Sequence, residues 1–539
     1  MPSFKLDDRE IPFEKGDTII RAAQRAGIDI PHYCWHPGLS VAANCRMCLV
    51  EVLPPPGRPA LQLNVLNYDA QSGQYISQTK PKLQPACQQA VAEGMEVKSD
   101  SSEHVRRARS SVQELLLLNH PVDCPICDQA GECRLQDYWL EHQHDAKKMT
   151  DEPVHKPKAV VFGPTIVYDA ERCIVCTRCV RFCEEVAKDP VLSVRERGNL
   201  NEIVLAPGRQ LDHGYTLMTE YVCPVGALTA VDFRFKARVW FLRSARTVCQ
   251  GCATGCNAYL DYDPRVDRVH RHRPRENAQV NGYWMCDEGM LDYQRVHANR
   301  VLTASVGGQA SVLTSALDSA ALLLKDCPPQ KLAIVLSAQH SNEDNFALLK
   351  LGRDDLKVSQ LFFGGKAPGT ADDVLRNADK NPNTAGVKKL APTARPLAEL
   401  KTLVETGAIT HALVLGADAP TPDLVQMLGK LKGLVVLAVE KGPLASVASV
   451  LLPASSWAES EGTFVNARGL SQQSDSAIKP QGDSRPAWKL IAALAVRMGL
   501  AVDWRKLDQL EQSMRKAVGA GAGQTTGASA GGASAGGAQ

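Results

Sequence analysis

The sequence predicts a multidomain chain, α+β through its cysteine-rich first half and α/β in its second. Three observations carry that reading. At 539 residues the chain is too long for one hydrophobic core, which points to three or more domains. Sixteen of its 17 cysteines lie before residue 287, and the rest of the chain holds only Cys327. From about residue 297, short apolar runs (KLAIVLSA, HALVLGA, GLVVLAVE) are bounded by turn residues and separated by helical stretches such as DLVQMLGKLK. That alternation belongs to parallel-sheet layers.

The elements follow in order. FKLDDREIPFEKGDTIIRAAQRAG predicts strand, turn, strand and a helix whose N-cap region is Gly16-Asp17-Thr18. Residues 1–98, closing on the strand-like MEVKS, form one small α+β domain. Residues 99–145 read as helical, because SSEHVRRARSSVQELLLLN places apolar residues at helical spacing behind Ser/Asp capping candidates. Residues 146–235 carry a third cysteine group between short strand signals, and residues 236–296 a fourth. Within the α/β region, 297–515, the Pro/Gly/Lys/Asn-rich stretch from GGKAPGTADD to KNPNTAGVKK reads as loop. Residues 516–539 form a Gly/Ala/Ser tail that buries too little apolar surface to order itself.

Bulk properties exclude several classes. A formal net charge of +2 steers the chain toward neither nucleic acid nor an anionic membrane surface. No apolar run approaches the ~18–20 residues that span a bilayer. The start, MPSFKLDDREIPFEKGDTII, lacks an apolar core and a small-residue cleavage site, so no signal peptide is expected. A role at a membrane would then depend on docking to partner subunits. The cysteines occur as C-x2-C units in a long chain without a leader, which favours metal thiolates over disulfides.

Fifteen cysteines and one histidine sort into four ligand sets. The first is Cys34, Cys45, Cys48 and Cys87: three thiolates from CWHPGLSVAANCRMC and a fourth in QPACQQAVAEGMEV. Gly38, Ala42, Ala43 and Asn44 make a tight loop whose amides can donate to sulfur. The logic is that of plant-type ferredoxins, favouring a 2Fe–2S cluster over zinc. The second is His120, Cys124, Cys127 and Cys133, in HPVDCPICDQAGECRLQD. Its three cysteines leave one ligand open and His120 fills it; a 4Fe–4S cluster and a Cys3His zinc site fit this spacing equally well. Exchanging a thiolate for an imidazole removes one negative charge and raises the potential.

The third set is Cys173, Cys176 and Cys179 from CIVCTRC, closed by Cys223 in CPVGAL, the form of a bacterial ferredoxin half-site with a 4Fe–4S cluster. The second triple of a two-cluster ferredoxin is missing before Cys223, which leaves Cys183 as a buried free thiol. The fourth is Cys249, Cys252, Cys256 and Cys286, from CQGCATGC and WMCDEG, suited to 4Fe–4S with Gly251 and Gly255 allowing close backbone approach. Zinc ribbons share that spacing. Cys327 in KDCPPQ and His104 read as structural.

Through CWHPGLSVAANCRMCLVEV, HPVDCPICDQAGECRLQDY, CIVCTRCVRFCEE and YVCPVGALT, the chain resembles the large iron–sulfur subunit of bacterial NADH:quinone oxidoreductase, respiratory complex I. The resemblance covers nearly all of residues 1–500. It implies an N-terminal 2Fe–2S ferredoxin-like β-grasp domain, a His/Cys3 4Fe–4S helical domain, a 4Fe–4S ferredoxin-like domain and a shortened molybdopterin-oxidoreductase-like α/β region. It also implies relay of electrons from a flavin subunit toward quinone, with no catalytic residue in this chain. The fourth set matches a 4Fe–4S site found in some members, which reads as a branch off the main relay. PASSWAESEGTFVNARGLSQ resembles the segment that approaches pterin in molybdopterin enzymes. The region is short and shows no cysteine or serine placed as a molybdenum ligand, so no molybdopterin is expected.

The expected partners are other peripheral-arm subunits of complex I, with the protein peripheral on the cytoplasmic side of the bacterial inner membrane. The 38-residue gap between Cys48 and Cys87 is longer than the family pattern and implies an inserted segment, PPPGRPALQLNVLNYDAQSGQY, that packs on a neighbour. The alternative reading is a subunit of an NAD-linked formate dehydrogenase or hydrogenase. The first of these needs a full pterin domain, and the second resembles only the first ~240 residues.

Overall fold

Alternating burial opens the chain: in Ser3–Leu6, Phe4 and Leu6 are buried while Lys5 is exposed. This strand pairs antiparallel with Arg9–Pro12 and parallel with Glu96–Lys98, which in turn pairs antiparallel with Leu49–Leu53. Gln84–Pro85 completes the five-stranded sheet. The helix Ile19–Arg25 buries Ile19, Ile20, Ala22 and Ala23 into the core this sheet forms with Phe4, Ile11, Val50 and Val97. Cys48 and Cys87 belong to that same core, so two of the four cysteines of the first set are part of the domain's packing.

The long gap after Cys48 is occupied by a two-stranded antiparallel hairpin, Gln62–Asp69 with Gln74–Pro81. It exposes Leu66, Tyr68 and Tyr75. Ser102 then caps the helix Glu103–Leu117, its hydroxyl accepting from the Val105 N–H. The segment predicted as helical is helical only in part: Cys124–Ile126 is a single 3-10 turn, and the helix Arg134–His142 starts directly after Cys133. Pro121 and Pro125 explain the break, since each removes a helix N–H.

A third group of elements comprises the small sheet of Val160–Val161, Ile166–Tyr168 and Leu228–Ala230, with helices Arg178–Glu185 and Leu217–Tyr221.

The α/β region contains an eight-stranded sheet. Its order is Gln309–Ser311, Ala304–Val306, Val450–Pro453, Gly433–Ala438, His411–Leu415, Leu332–Ser337, Gln360–Gly364 and Arg395–Pro396. The six strands from Val450–Pro453 onward are parallel, and the first two form an antiparallel edge. Leu332–Ser337 and Gly433–Ala438 are buried at every position. Ile334, Leu336, Val435 and Leu437 enter one core, and Ala333, Val335, Leu434 and Val436 the other, as the two-residue period of a strand covered on both faces requires. The stretch predicted as loop ends in a helix, Thr384–Leu390, and the C-terminal helix Leu507–Gly519 runs past residue 515.

This computed structural model describes residues 1–143, 148–416, 418 and 421–519; the predicted tail beyond 519 lies outside the described residues. Contacts gather the chain into two compact units. One contains residues 1–244, 261–291 and 373–375; the other contains 245–260, 292–372 and the residues from 376 onward. Among the described residues, no helix is long and apolar enough to cross a membrane.

Candidate metal centres

The first ligand set converges. The Cys45 thiol donates a hydrogen bond to the Cys34 sulfur and the Cys48 thiol one to the Cys87 sulfur, while Cys34 and Cys48 lie close enough to sense each other's charge. Cys34, Cys48 and Cys87 are almost wholly buried. The Cys34 thiol is drawn below its ordinary range chiefly by the bond from Cys45, with backbone N–H groups of Cys45 and Asn44 adding to it. These are the sulfur-directed amides expected of the loop. Ala43 and Arg46 adopt left-handed backbone with φ of 50° and 61°, which turns the chain sharply enough to aim those amides inward.

The second set lines a single cavity of about 540 Å³ together with Pro121, Ala130, Leu135, Trp139 and Arg172. His120 stands there with Cys124, Cys127 and Cys133. Burial, reinforced by Arg172, lowers the His120 pKa to about 4, so the ring is neutral at physiological pH, the state a metal requires. Burial pushes the Cys133 thiol up to about 11.

The third set also lines one cavity: Cys173, Cys176, Cys179 and Cys223, with Tyr168 and Val225. Burial raises Cys173 and Cys176 to about 11 and Cys223 to about 12. A metal bound by thiols so disfavoured as anions would displace their protons to solvent. Val175 and Thr177, between the cysteines, take φ of 49° and 62°. A β-branched residue in the left-handed region is strained. The strain places the Val175 N–H 3.3 Å from the Cys173 sulfur.

In the fourth set, Cys249, Cys252 and Cys256 are buried in the second unit. The Cys249 N–H donates to the Cys256 carbonyl at 2.8 Å, closing the loop, and the Gly251 N–H points at the Cys249 sulfur. Gly255, with φ of 58°, provides the left-handed turn. Cys286 belongs to the first unit and is likewise buried, receiving the Gly289 N–H at its sulfur.

Cys183 is buried, 3.5 Å from the His213 ring, with its thiol pushed up to about 12 by burial. Cys327 packs in the α/β core beside Leu324 and Leu332. Both are structural thiols here.

Three features escaped the sequence reading. Gly226 approaches the second set so closely that a Cβ there would lie 2.2 Å from the Cys127 sulfur. The Tyr33 hydroxyl donates to Gln113 at 2.5 Å, and the Tyr33 ring meets Tyr138 edge-on, which ties the residue beside Cys34 to the helices around the second set. Arg178 and Arg181, inside the third cysteine motif, are buried and reach the Cys34 loop. Glycine in CPVGAL and arginines in CTRCVRFC were the available signals, but local spacing does not reveal partners about a hundred residues or more away.

Four family models match the chain in order: 2Fe-2S iron-sulfur cluster binding domain over residues 2–102, NADH-ubiquinone oxidoreductase-G iron-sulfur binding region over 109–148, NADH-quinone oxidoreductase subunit 3, ferredoxin-like domain over 163–229, and Molybdopterin oxidoreductase over 330–497. The chain is 33% identical over 405 residues to NADH-quinone oxidoreductase subunit 3 of Thermus thermophilus, covering 70% of this chain and 50% of that one. It is 34% identical over 365 residues to an NADH-quinone oxidoreductase subunit of Streptomyces coelicolor, covering 66% and 40%. To the mitochondrial NADH dehydrogenase [ubiquinone] iron-sulfur protein 1 of Solanum tuberosum it is 31% identical over 392 residues, covering 71% and 49%. The chain thus spans about half the length of the curated relatives it matches. The fold class read from the sequence agrees with these matches, and the 2Fe–2S and 4Fe–4S models fall on the first three ligand sets. The chain belongs to the family of large iron–sulfur subunits of NADH-quinone oxidoreductases.

Proposed function

We propose that this chain is an electron-transfer subunit of NADH:quinone oxidoreductase, carrying electrons from a flavin subunit toward quinone through iron–sulfur clusters. What supports the reading is that the cysteines of the first set neighbour one another, and that the second and third sets each line a single cavity of the same unit. Cys34, Cys45, Cys48 and Cys87 would hold a 2Fe–2S cluster. His120, Cys124, Cys127 and Cys133 would hold one 4Fe–4S cluster, and Cys173, Cys176, Cys179 and Cys223 a second. Cys249, Cys252, Cys256 and Cys286, on their sequence spacing, would supply a third 4Fe–4S cluster.

Each cluster, when bound, takes up and releases one electron. The protein excludes water from the sulfurs, directs N–H groups at them and fixes the separations that tunnelling needs. The third set touches both others beside a ligand: Gly226 abuts Cys127 of the second, and Arg181 bonds the carbonyl of Cys34 in the first. We assign it the middle position in the relay. No side chain is asked to act as acid, base or nucleophile.

No molybdopterin is assigned. Where the carboxyl ends of Leu332–Ser337, His411–Leu415 and Gly433–Ala438 open, the crevice lined by His340, Gly416 and Trp457 holds only about 100 Å³. Small-molecule pockets run from about 300 to 1,000 Å³. The Glu459 carboxylate fixes this segment by accepting from the Ser456 and Gln481 N–H groups and pairing with Arg300 at 2.6 Å. The partners are the flavin- and quinone-side subunits of the peripheral arm, and the site of action is the cytoplasmic face of the bacterial inner membrane. The names of the relatives favour this reading over the formate dehydrogenase or hydrogenase alternative.

The test is rapid mixing with NADH. Clusters of the chain in complex with its flavin subunit should reduce within milliseconds, while the isolated chain should stay oxidised. Stoichiometric molybdenum in the purified chain would instead favour the enzyme reading.

A further inference from the structure

The helix Arg178–Glu185 carries two arginines that point away from water. Arg178 is 6% exposed and Arg181 8%. The Arg178 guanidinium donates through Nη1 to the Val222 carbonyl at 3.2 Å and through Nη2 to the Trp35 carbonyl. Val222 precedes Cys223 of the third set, and Trp35 follows Cys34 of the first. Arg181 repeats the pattern one turn on. Its Nη2 donates to the Cys34 carbonyl at 2.6 Å and to the Cys176 carbonyl at 3.4 Å, and its Nη1 to the Ser40 carbonyl.

Every one of these acceptors is a neutral carbonyl. Neither arginine forms an ion pair with a carboxylate among the described residues, and the buried Nε of Arg178 has no partner. An isolated buried cation is costly unless something nearby carries negative charge. The groups whose ionised form most favours the Arg178 cation are the Cys176, Cys223 and Cys34 sulfurs, which belong to two different sets. A cluster held by four thiolates is an anion, and it gains one further negative charge on reduction.

We propose that Arg178 and Arg181 are positioning residues that make the first and third clusters one electrostatic unit, each guanidinium bordering both clusters and raising both midpoint potentials. The inference rests on the iron–sulfur reading of these two sets. Reduction adds one electron to one cluster, breaks no bond and moves no proton at either arginine. The fixed positive charge stabilises that added electron. Because one guanidinium borders both sites, its removal lowers both potentials together, whereas a group serving a single cluster would lower only one. The forks also hold the Cys34 loop against the Arg178–Glu185 helix, which fixes the distance between the two clusters.

The experiment is an EPR-monitored redox titration of the full chain with its clusters, comparing the parent with Arg178→Gln and Arg178→Lys. Arg178→Gln should lower the potentials of the 2Fe–2S cluster and the third-set cluster together, each by at least tenfold in its one-electron equilibrium, about 59 mV. The His120 cluster should shift far less, and Arg178→Lys, which keeps the charge, should restore most of the loss in both. Movement of one potential alone, or of neither, at parental iron and sulfide content overturns the proposal. If Arg178→Gln fails to load iron, Arg178→Lys decides: loading with both potentials near parental values supports the shared charge. Loss of iron from both variants assigns the arginine to folding and overturns it. Absence of iron and sulfide in the parent is a different outcome and defeats the cluster reading itself.

Discussion

Gly226 lies against Cys127 across the boundary between the third and second ligand sets, with room for a hydrogen and no more: a Cβ would stand 2.2 Å from the sulfur. Two adjoining contacts hold it there. The Arg134 N–H donates to the Pro224 carbonyl at 3.2 Å, and the Arg238 guanidinium donates to the Cys127 carbonyl at 2.7 Å. The loop that carries Cys223 thereby packs directly against the second set.

Gly226→Ala should therefore displace Cys127 and empty the second site while sparing the first. Iron content should fall by about four per chain. The 2Fe–2S EPR signal should persist. Full iron content in this variant would show that the Cys127 thiol does not ligate.

His120→Cys should retain a cluster and lower its potential, because a thiolate adds one negative charge where a neutral imidazole stood. A drop of about 60 mV or more, a tenfold change for one electron, is expected in redox titration. An unchanged spectrum and potential would remove His120 from the ligand set.

Arg300 and Glu459 form a buried pair at 2.6 Å whose side chains are 2% and 0% exposed. Arg300→Met leaves the Glu459 carboxylate buried without its cation. That should cost the α/β unit about 3–5 kcal/mol in urea denaturation. A loss under about 1 kcal/mol would mean that water reaches the carboxylate.

Asp344 is buried, and burial raises its carboxyl to about 6 from 3.8 although it accepts from the Trp488 N–H. The folded state thus binds this proton more tightly than the unfolded one. The stability it contributes is full below about pH 4 and is lost as pH rises to about 6. Asp344→Asn should then raise the melting temperature at pH 7.5, by the equivalent of about 1–3 kcal/mol, and leave it nearly unchanged at about pH 4. A difference between variant and parent that is equal at both pH values would contradict this.

The cysteine sets were legible in the sequence because most ligands of each site come from one short loop, and their spacing is itself a geometric constraint. The parallel sheet was legible because Leu332–Ser337 and Gly433–Ala438 carry nearly unbroken apolar runs, as strands buried on both faces do. Other features were beyond local pattern. Nothing in the spacing of CTRCVRFC singles out Arg178 and Arg181, and only the fold brings them to carbonyls 143 and 147 residues away. The insertion after Cys48 was visible as excess length, but Leu63, Val65 and Tyr68 pair in register with Lys80, Gln78 and Tyr75 only once both strands meet. The helix Thr384–Leu390 hid behind Pro and Asn residues that fall just outside it.

The central claim is tested most directly by counting iron, acid-labile sulfide and zinc in the purified chain. The relay reading predicts about fourteen irons and as many sulfides per chain, with zinc below stoichiometry. Zinc bound at about one to four per chain, with little sulfide, would contradict it.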